Sequence, residues 1–148
     1  MFIYGKMGAH AISVMSYLAG SLGRRVSTAE ISSARKLSLP LTAKLLTQLA
    51  AAKMVEGRPG PSGGYILARP PEDIRLLDIV ELFGQTGPTD LCPFGPGWCG
   101  YGDPCPLHDK ISTLLDDHSK FMRENTLAEF VGKPLGPPPA PNFRPQEG

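Results

Sequence analysis

The sequence has no excess of charge of either sign. Fifteen Lys and Arg face 14 Asp and Glu, for a formal net charge of +1. No global basic field therefore announces a nucleic-acid partner, and a DNA footprint has to come from a local patch. Long apolar runs are also missing. None reaches the roughly 18 to 20 residues that a membrane span needs, and the apolar stretch from Ala9 to Leu22 is broken by His10 and three serines. The same stretch has no small-residue cleavage site and runs on into helix-like sequence, so no signal peptide is expected and the chain reads as cytoplasmic. No C-x-x-C pair, nucleotide fingerprint or metalloprotease motif occurs, which argues against an enzyme. No internal repeat is present. Cysteine is scarce at three residues, an odd number that does not close a disulfide framework.

At 148 residues the chain is long enough for one domain with a proper hydrophobic core. Its first third concentrates basic residues, with Lys6, Arg24, Arg25, Arg35, Lys36, Lys44, Lys53 and Arg58 set against Glu30 and Glu56. Apolar and small residues recur at helical spacing from Gly5 to Leu22, through Ala11, Ile12, Met15, Leu18 and Ala19, and Gly20 and Gly23 end this first helix. Ser27 with Glu30 has the form of a capping box, predicting a second helix to Arg35 or Lys36. A turn at Leu37-Ser38-Leu39 leads to Pro40, which suits the first turn of a third helix. That helix runs to Met54, with Leu41, Leu45, Leu46 and Leu49 as its core face.

Two helices joined by a short turn make a helix-turn-helix, a weak signal in isolation. The segment after it strengthens the reading. Met54 to Gly57 and Tyr65 to Ala68 read as short strands around Arg58-Pro59-Gly60-Pro61-Ser62-Gly63-Gly64, where Gly60, Gly63 and Gly64 permit positive φ. A β-hairpin in this place is a wing. A linker helix follows from Ile74 to Phe83. A helix from Leu107 to Glu124 carries Leu107, Ile111, Leu114, Leu115, Phe121 and Met122 on one side, and Thr126 caps a last short helix to Val131. Six prolines in the 16 residues from Lys133 on predict a disordered tail. The fold class is therefore mainly α with a small β-hairpin wing. The expected divisions are 1–84 for the winged helix-turn-helix and linker helix, 85–106 for a cysteine-rich loop, 107–132 for a long helix and a short C-terminal one, and 133–148 for the tail.

The stretch from Cys92 to His108 carries the chemistry. Its spacing is C-x6-C-x5-C-x2-H, within a segment, Gln85 to Pro106, that holds five glycines and five prolines. Three thiolates (Cys92, Cys99, Cys105) and the His108 imidazole amount to four ligands. Thiolates are preferred by zinc and by iron–sulfur clusters. Structural zinc sites usually pair cysteines as C-x2-4-C; gaps of six and five are loose for that and suit a larger cluster. Zinc remains the lesser alternative, giving a zinc-stabilised protein that binds DNA constitutively. His10 and His118 read as packing or surface residues.

Four stretches, Ser38 to Leu46 with Leu49, Gly63 to Pro70, Ile74 to Glu81 and the cysteine loop, resemble the bacterial winged-helix transcription regulators of the IscR/NsrR iron–sulfur family over roughly residues 5 to 131. The resemblance implies a homodimer whose long helix packs against its partner, and two winged domains that read a palindromic operator in successive major grooves of double-stranded DNA. It implies that Cys92, Cys99 and Cys105 ligate an iron–sulfur cluster, with His108 as fourth ligand of a [2Fe-2S] form in preference to [4Fe-4S]. The function implied is a regulator, such as a repressor, that senses redox, nitric oxide or iron–sulfur status. Ser38, Pro40, Thr42, Ala43, Lys44 and Thr47 are expected at bases or phosphates, and Ser27, Thr28, Arg58 and Ser62 at the backbone. Here the first cysteine gap is one residue longer than is common in the family. Gly8 and Ala9 stand near the position of an acidic ligand found in the nitric-oxide sensor, and the wing has Pro59 where many members carry a basic residue.

Overall fold

The computed structural model describes residues 5–21, 23–84 and 105–133. Helix α1 (Lys6–Gly20) buries Ala11, Val14, Met15, Leu18 and Ala19, the apolar period legible in the sequence. It packs on α4, and Gly8 makes the close approach possible. A Cβ on Gly8 would stand 3.3 Å from Val80 Cγ1.

Ser27 caps α2 (Thr28–Arg35), its Oγ accepting from the Glu30 N–H at 3.1 Å. Only this half of the expected capping box forms. The Glu30 carboxylate instead receives two hydrogen bonds from Arg24, at 3.0 and 2.8 Å, and one from the Tyr17 hydroxyl at 2.8 Å. Two stronger donors outside the helix outcompete a backbone N–H, and the exchange ties α2 to α1.

The turn between α2 and α3 (Leu39–Ala51) closes tightly. Lys36 adopts a left-handed conformation at φ 54°, the Leu37 N–H donates to the Ser32 carbonyl at 3.0 Å, and the buried Ser32 hydroxyl donates back to the Leu37 carbonyl at 2.7 Å. Pro40 sits in the first turn of α3, as expected, and Ser38 is its cap. The helix ends at Ala51 rather than Met54, because Lys53 turns left-handed at φ 58° and the Met54 N–H reaches back to the Leu49 carbonyl.

Strands β1 (Val55–Arg58) and β2 (Gly64–Leu67) form the antiparallel wing, with Val55 opposite Leu67 and Arg58 opposite Gly64. Val26 adds a bridge to Tyr65 on the outer side of β2. A single bridging residue leaves no alternation for sequence reading to detect. Gly60 and Gly64 have positive φ, 100° and 122°. Gly63 does not. It is needed because a Cβ there would overlap the Arg58 carbonyl oxygen.

The linker helix is shorter than expected. Pro71–Asp73 is a 3-10 turn, Ile74 and Arg75 are extended, and α4 covers only Leu76–Glu81. Ile74 and Arg75 leave the helix because their backbone pairs with the returning chain. Arg75 bridges Thr126, the Leu127 N–H donates to the Ile74 carbonyl at 3.0 Å, and the Leu76 N–H donates to the Asn125 carbonyl at 3.0 Å. The long helix α5 (His108–Glu124) thus ends against the first domain, with Met122 and Leu127 inside the same core as Ile74 and Ile79. The division that set 107–132 apart from 1–84 is crossed here, since the far end of α5 and the 3-10 turn Leu127–Phe130 complete the core of the winged domain. Among the described residues no helix is long and apolar enough to cross a membrane.

Candidate nucleic-acid interface and cysteine turn

Helix α3 and the wing stand on one framework. Leu45, Leu46 and Leu49 anchor α3 in the core with no exposure, so its opposite face is held rigidly outward. Pro40, Ala43, Lys44 and Thr47 lie on that exposed face. Ser38 and Thr42 do not. Ser38 is buried, its Oγ accepting from the Leu41 N–H at 3.3 Å. Thr42 is fully buried and its hydroxyl donates to the Ser38 carbonyl at 2.9 Å. The expectation of a groove-facing Thr42 is therefore corrected. Helical spacing carries position 42 to the same side as Leu45, Leu46 and Leu49, and its hydroxyl is consumed inside the first turn. Ser38 is turned inward as the cap of α3.

Ser27 is exposed and Thr28 half-buried at the start of α2, while Arg58 and Ser62 are exposed on the wing. A clasp that sequence reading missed fixes the wing against α2. The Arg25 guanidinium, 19% exposed, makes an ion pair with Glu56 on β1 at 2.9 Å and donates to the Glu56 and Gly64 carbonyls at 3.4 Å. Thirty-one residues separate Arg25 from Glu56, and no local pattern links them.

The basic patch read from the sequence is smaller in three dimensions. Arg24 is paired with Glu30, which holds the Glu30 carboxyl below its ordinary value by direct hydrogen bonding. Arg25 is paired with Glu56. Arg35 lies over the Tyr17 ring at 5.1 Å and donates to the Ser13 carbonyl and the Ser16 hydroxyl, and burial lowers its pKa. Lys6, Lys36, Lys44, Lys53 and Arg58 are exposed outside these contacts.

Of the four sulfur and imidazole donors, two fall in the described residues. Cys105 is buried at 7% exposure, and its carbonyl accepts from the His108 N–H at 3.0 Å. This one turn opens α5, so Cys105 and the half-buried His108 share the head of that helix. Cys92 and Cys99 lie outside the described residues, within which no three His, Cys, Asp or Glu side chains gather as a metal site. His10 is half-buried in α1, and burial, with Lys6 nearby, lowers its pKa.

Residues 4–133 match the model of the Rrf2 family, described as iron-dependent transcriptional regulators. The chain is 46% identical over 119 residues to the HTH-type transcriptional regulator IscR of Cereibacter sphaeroides, covering 78% of this chain and 76% of the relative. It is 29% identical over 125 residues to the IscR of Escherichia coli, covering 84% and 76%. Among solved structures it is similar to T. potens IscR, with TM-score 0.65 and 25% identity over 84% of this chain and 82% of that one. It shares the fold of CymR, the global cysteine regulator of B. subtilis, with TM-score 0.69 and 23% identity over 88% and 98%. These relatives are transcription regulators and not enzymes. With its helix-turn-helix, its hairpin wing and a family match that runs through both, the chain belongs to the Rrf2 family of DNA-binding transcriptional regulators.

Proposed function

We propose that this regulator senses redox, nitric oxide or iron–sulfur status through an iron–sulfur cluster held by Cys92, Cys99, Cys105 and His108, a [2Fe-2S] form in preference to [4Fe-4S]. The observation that carries the reading is the turn at the head of α5, where the His108 N–H meets the Cys105 carbonyl at 3.0 Å. Two of the four donors are thereby built into the start of the longest helix in the described chain, at 17 residues. The donor set fits the group, because thiolates with an imidazole are iron–sulfur ligands. The family description as iron-dependent and the IscR relatives support the same reading. When bound, such a cluster supplies redox chemistry and reactivity toward nitric oxide.

Helix α5 is also the proposed dimer element. Leu107, Ile111, Leu114, His118 and Phe121 follow a 4-3-4-3 spacing, and Leu107, Leu114 and Phe121 are 38%, 50% and 54% exposed. An exposed apolar seam of that period is what a partner helix covers. A homodimer formed there presents two copies of α3 to a palindromic operator, about one helical turn of DNA apart. Pro40, Ala43, Lys44 and Thr47 face the major groove, while Ser27, Thr28, Arg58 and Ser62 meet phosphates. Because α5 begins at His108, one turn after Cys105, and ends in the core of the winged domain, a change at its head reaches the spacing of the two reading heads through one rigid element.

Anaerobic purification tests the proposal. Visible absorbance, with iron and acid-labile sulfide in equal amounts, is expected and should be lost in Cys105→Ser. DNA affinity in a salt-dependent shift assay should change when the cluster is removed. One zinc per chain without iron, or identical affinity with and without the cluster, would sink the sensing reading.

A further inference from the structure

Apart from Lys44, the exposed side chains at the reading end of α3 lack hydrogen-bonding groups. In its first two turns the exposed residues are Leu39, Pro40, Ala43 and Lys44, with Leu41 half-buried. Leu39 is 46% exposed at the first position of the helix. The two hydroxyls that the sequence places nearby are engaged internally, Ser38 as the cap and Thr42 on the Ser38 carbonyl. In the next turn, the Thr47 hydroxyl donates to the Ala43 carbonyl at 2.9 Å. Lys44 is therefore the sole exposed side chain of those two turns that can donate to a base or phosphate.

Leu39 and Ala43 are four residues apart and share a face. About half of the Leu39 surface stays open to solvent in the protomer. A half-exposed leucine at the tip of a helix that otherwise buries Leu45, Leu46 and Leu49 completely offers its open surface to a nonpolar partner. In the major groove the one nonpolar base edge is the C5-methyl of thymine. N-terminal residues of a recognition helix are those that reach base edges.

We infer that this regulator reads its operator at the tip of α3 through thymine methyl groups, with Leu39 as the principal specificity-determining residue and Ala43 completing the contact. The inference rests on the reading that α3 enters the major groove. Discrimination at these base pairs is carried by shape and desolvation instead of paired donors and acceptors, and Lys44 holds the helix by charge.

The test uses the full chain, purified anaerobically, and a duplex selected by it from a random library. Each thymine of the duplex is replaced in turn by uracil, which removes only the methyl group. At one or two positions in each half-site, uracil is expected to weaken binding roughly four-fold, the factor that burial of one methyl group gives. Leu39→Ala should bind the thymine duplex about as weakly as the natural protein binds the uracil one, and should no longer distinguish the two. Leu39→Gln should lose the same distinction, so the result does not hang on one variant. Equal affinity for thymine and uracil duplexes at every position overturns the inference, as does a Leu39→Ala protein that keeps the full thymine preference. Failure of the natural protein to select any duplex would instead overturn the groove-binding reading, and the inference with it.

Discussion

The backbones of Val26 and Tyr65 exchange two hydrogen bonds. The Val26 N–H donates to the Tyr65 carbonyl at 2.9 Å, and the Tyr65 N–H donates to the Val26 carbonyl at 2.7 Å. Through this pair the wing is stitched to the residue just before the cap of α2, so wing and helix-turn-helix move as one body. The stitch requires a glycine at position 64. Its φ is 122°, and a Cβ there would lie 2.7 Å from the Val26 carbonyl oxygen.

Gly64→Ala should therefore cost about 2–3 kcal/mol of stability, as a side chain is forced into a disfavoured backbone region against a fixed carbonyl. A denaturant titration measures it. A loss below half a kilocalorie would mean that the wing root can relax.

Arg25→Ala removes the clasp to Glu56. Both partners reach solvent, Glu56 at 61% exposure, so the stability loss should stay below about 1 kcal/mol. The effect should appear locally, as faster hydrogen exchange at Gly64, Tyr65 and Ile66 with the α3 core unchanged. Unaltered protection in β2 would show that the Val26–Tyr65 pair suffices to hold the wing.

Thr42→Val separates a structural hydroxyl from a reading one. With Thr42 buried and bonded to Ser38, the variant should lose about 1 kcal/mol of stability. Its preference among operator sequences should be unchanged. A shift in selected bases would return Thr42 to the groove.

Acid should loosen the junction of α1 and α2. The hydrogen bonds from Arg24 hold the Glu30 carboxyl below its ordinary value, with the Tyr17 hydroxyl adding to the effect. A carboxyl with a lowered folded pKa stabilises above its unfolded value, about 4.3, and that contribution disappears as pH falls through the folded value. Arg24 and Glu30 are 55% and 36% exposed, so solvent screening keeps the contribution below about 1 kcal/mol. Melting temperatures measured from pH 6 down to about pH 3 should fall more steeply for the natural protein than for Glu30→Gln. Parallel curves would contradict this.

Leu114→Glu places a charge in the middle of the exposed α5 seam. Since Leu114 is 50% exposed in the protomer, the fold should survive while the proposed dimer dissociates, seen by sedimentation as a halved mass. Affinity for a two-half-site operator should fall steeply. A variant that remains dimeric would relocate the interface.

Local chemistry in the sequence was enough to determine the helices, the Ser27 cap, the place of Pro40 and the hairpin, because each depends on spacing or a backbone preference within a few residues. Donor type and spacing made the cysteine loop a candidate for ligand chemistry, and Cys92 and Cys99 lie outside the described residues. Pairings over long separations were not legible. Arg25 meets Glu56, Val26 pairs with Tyr65 and Leu127 closes on Ile74 only once the chain has folded. These contacts shortened α4, joined the end of α5 to the winged domain and took Arg25 out of the basic patch, as Glu30 did Arg24 and the Tyr17 ring did Arg35. The tertiary structure also decided which way α3 faces. A helical period names two candidate faces, but packing of Leu45, Leu46 and Leu49 chose the buried one, drew Thr42 inward and left Leu39 exposed at the tip.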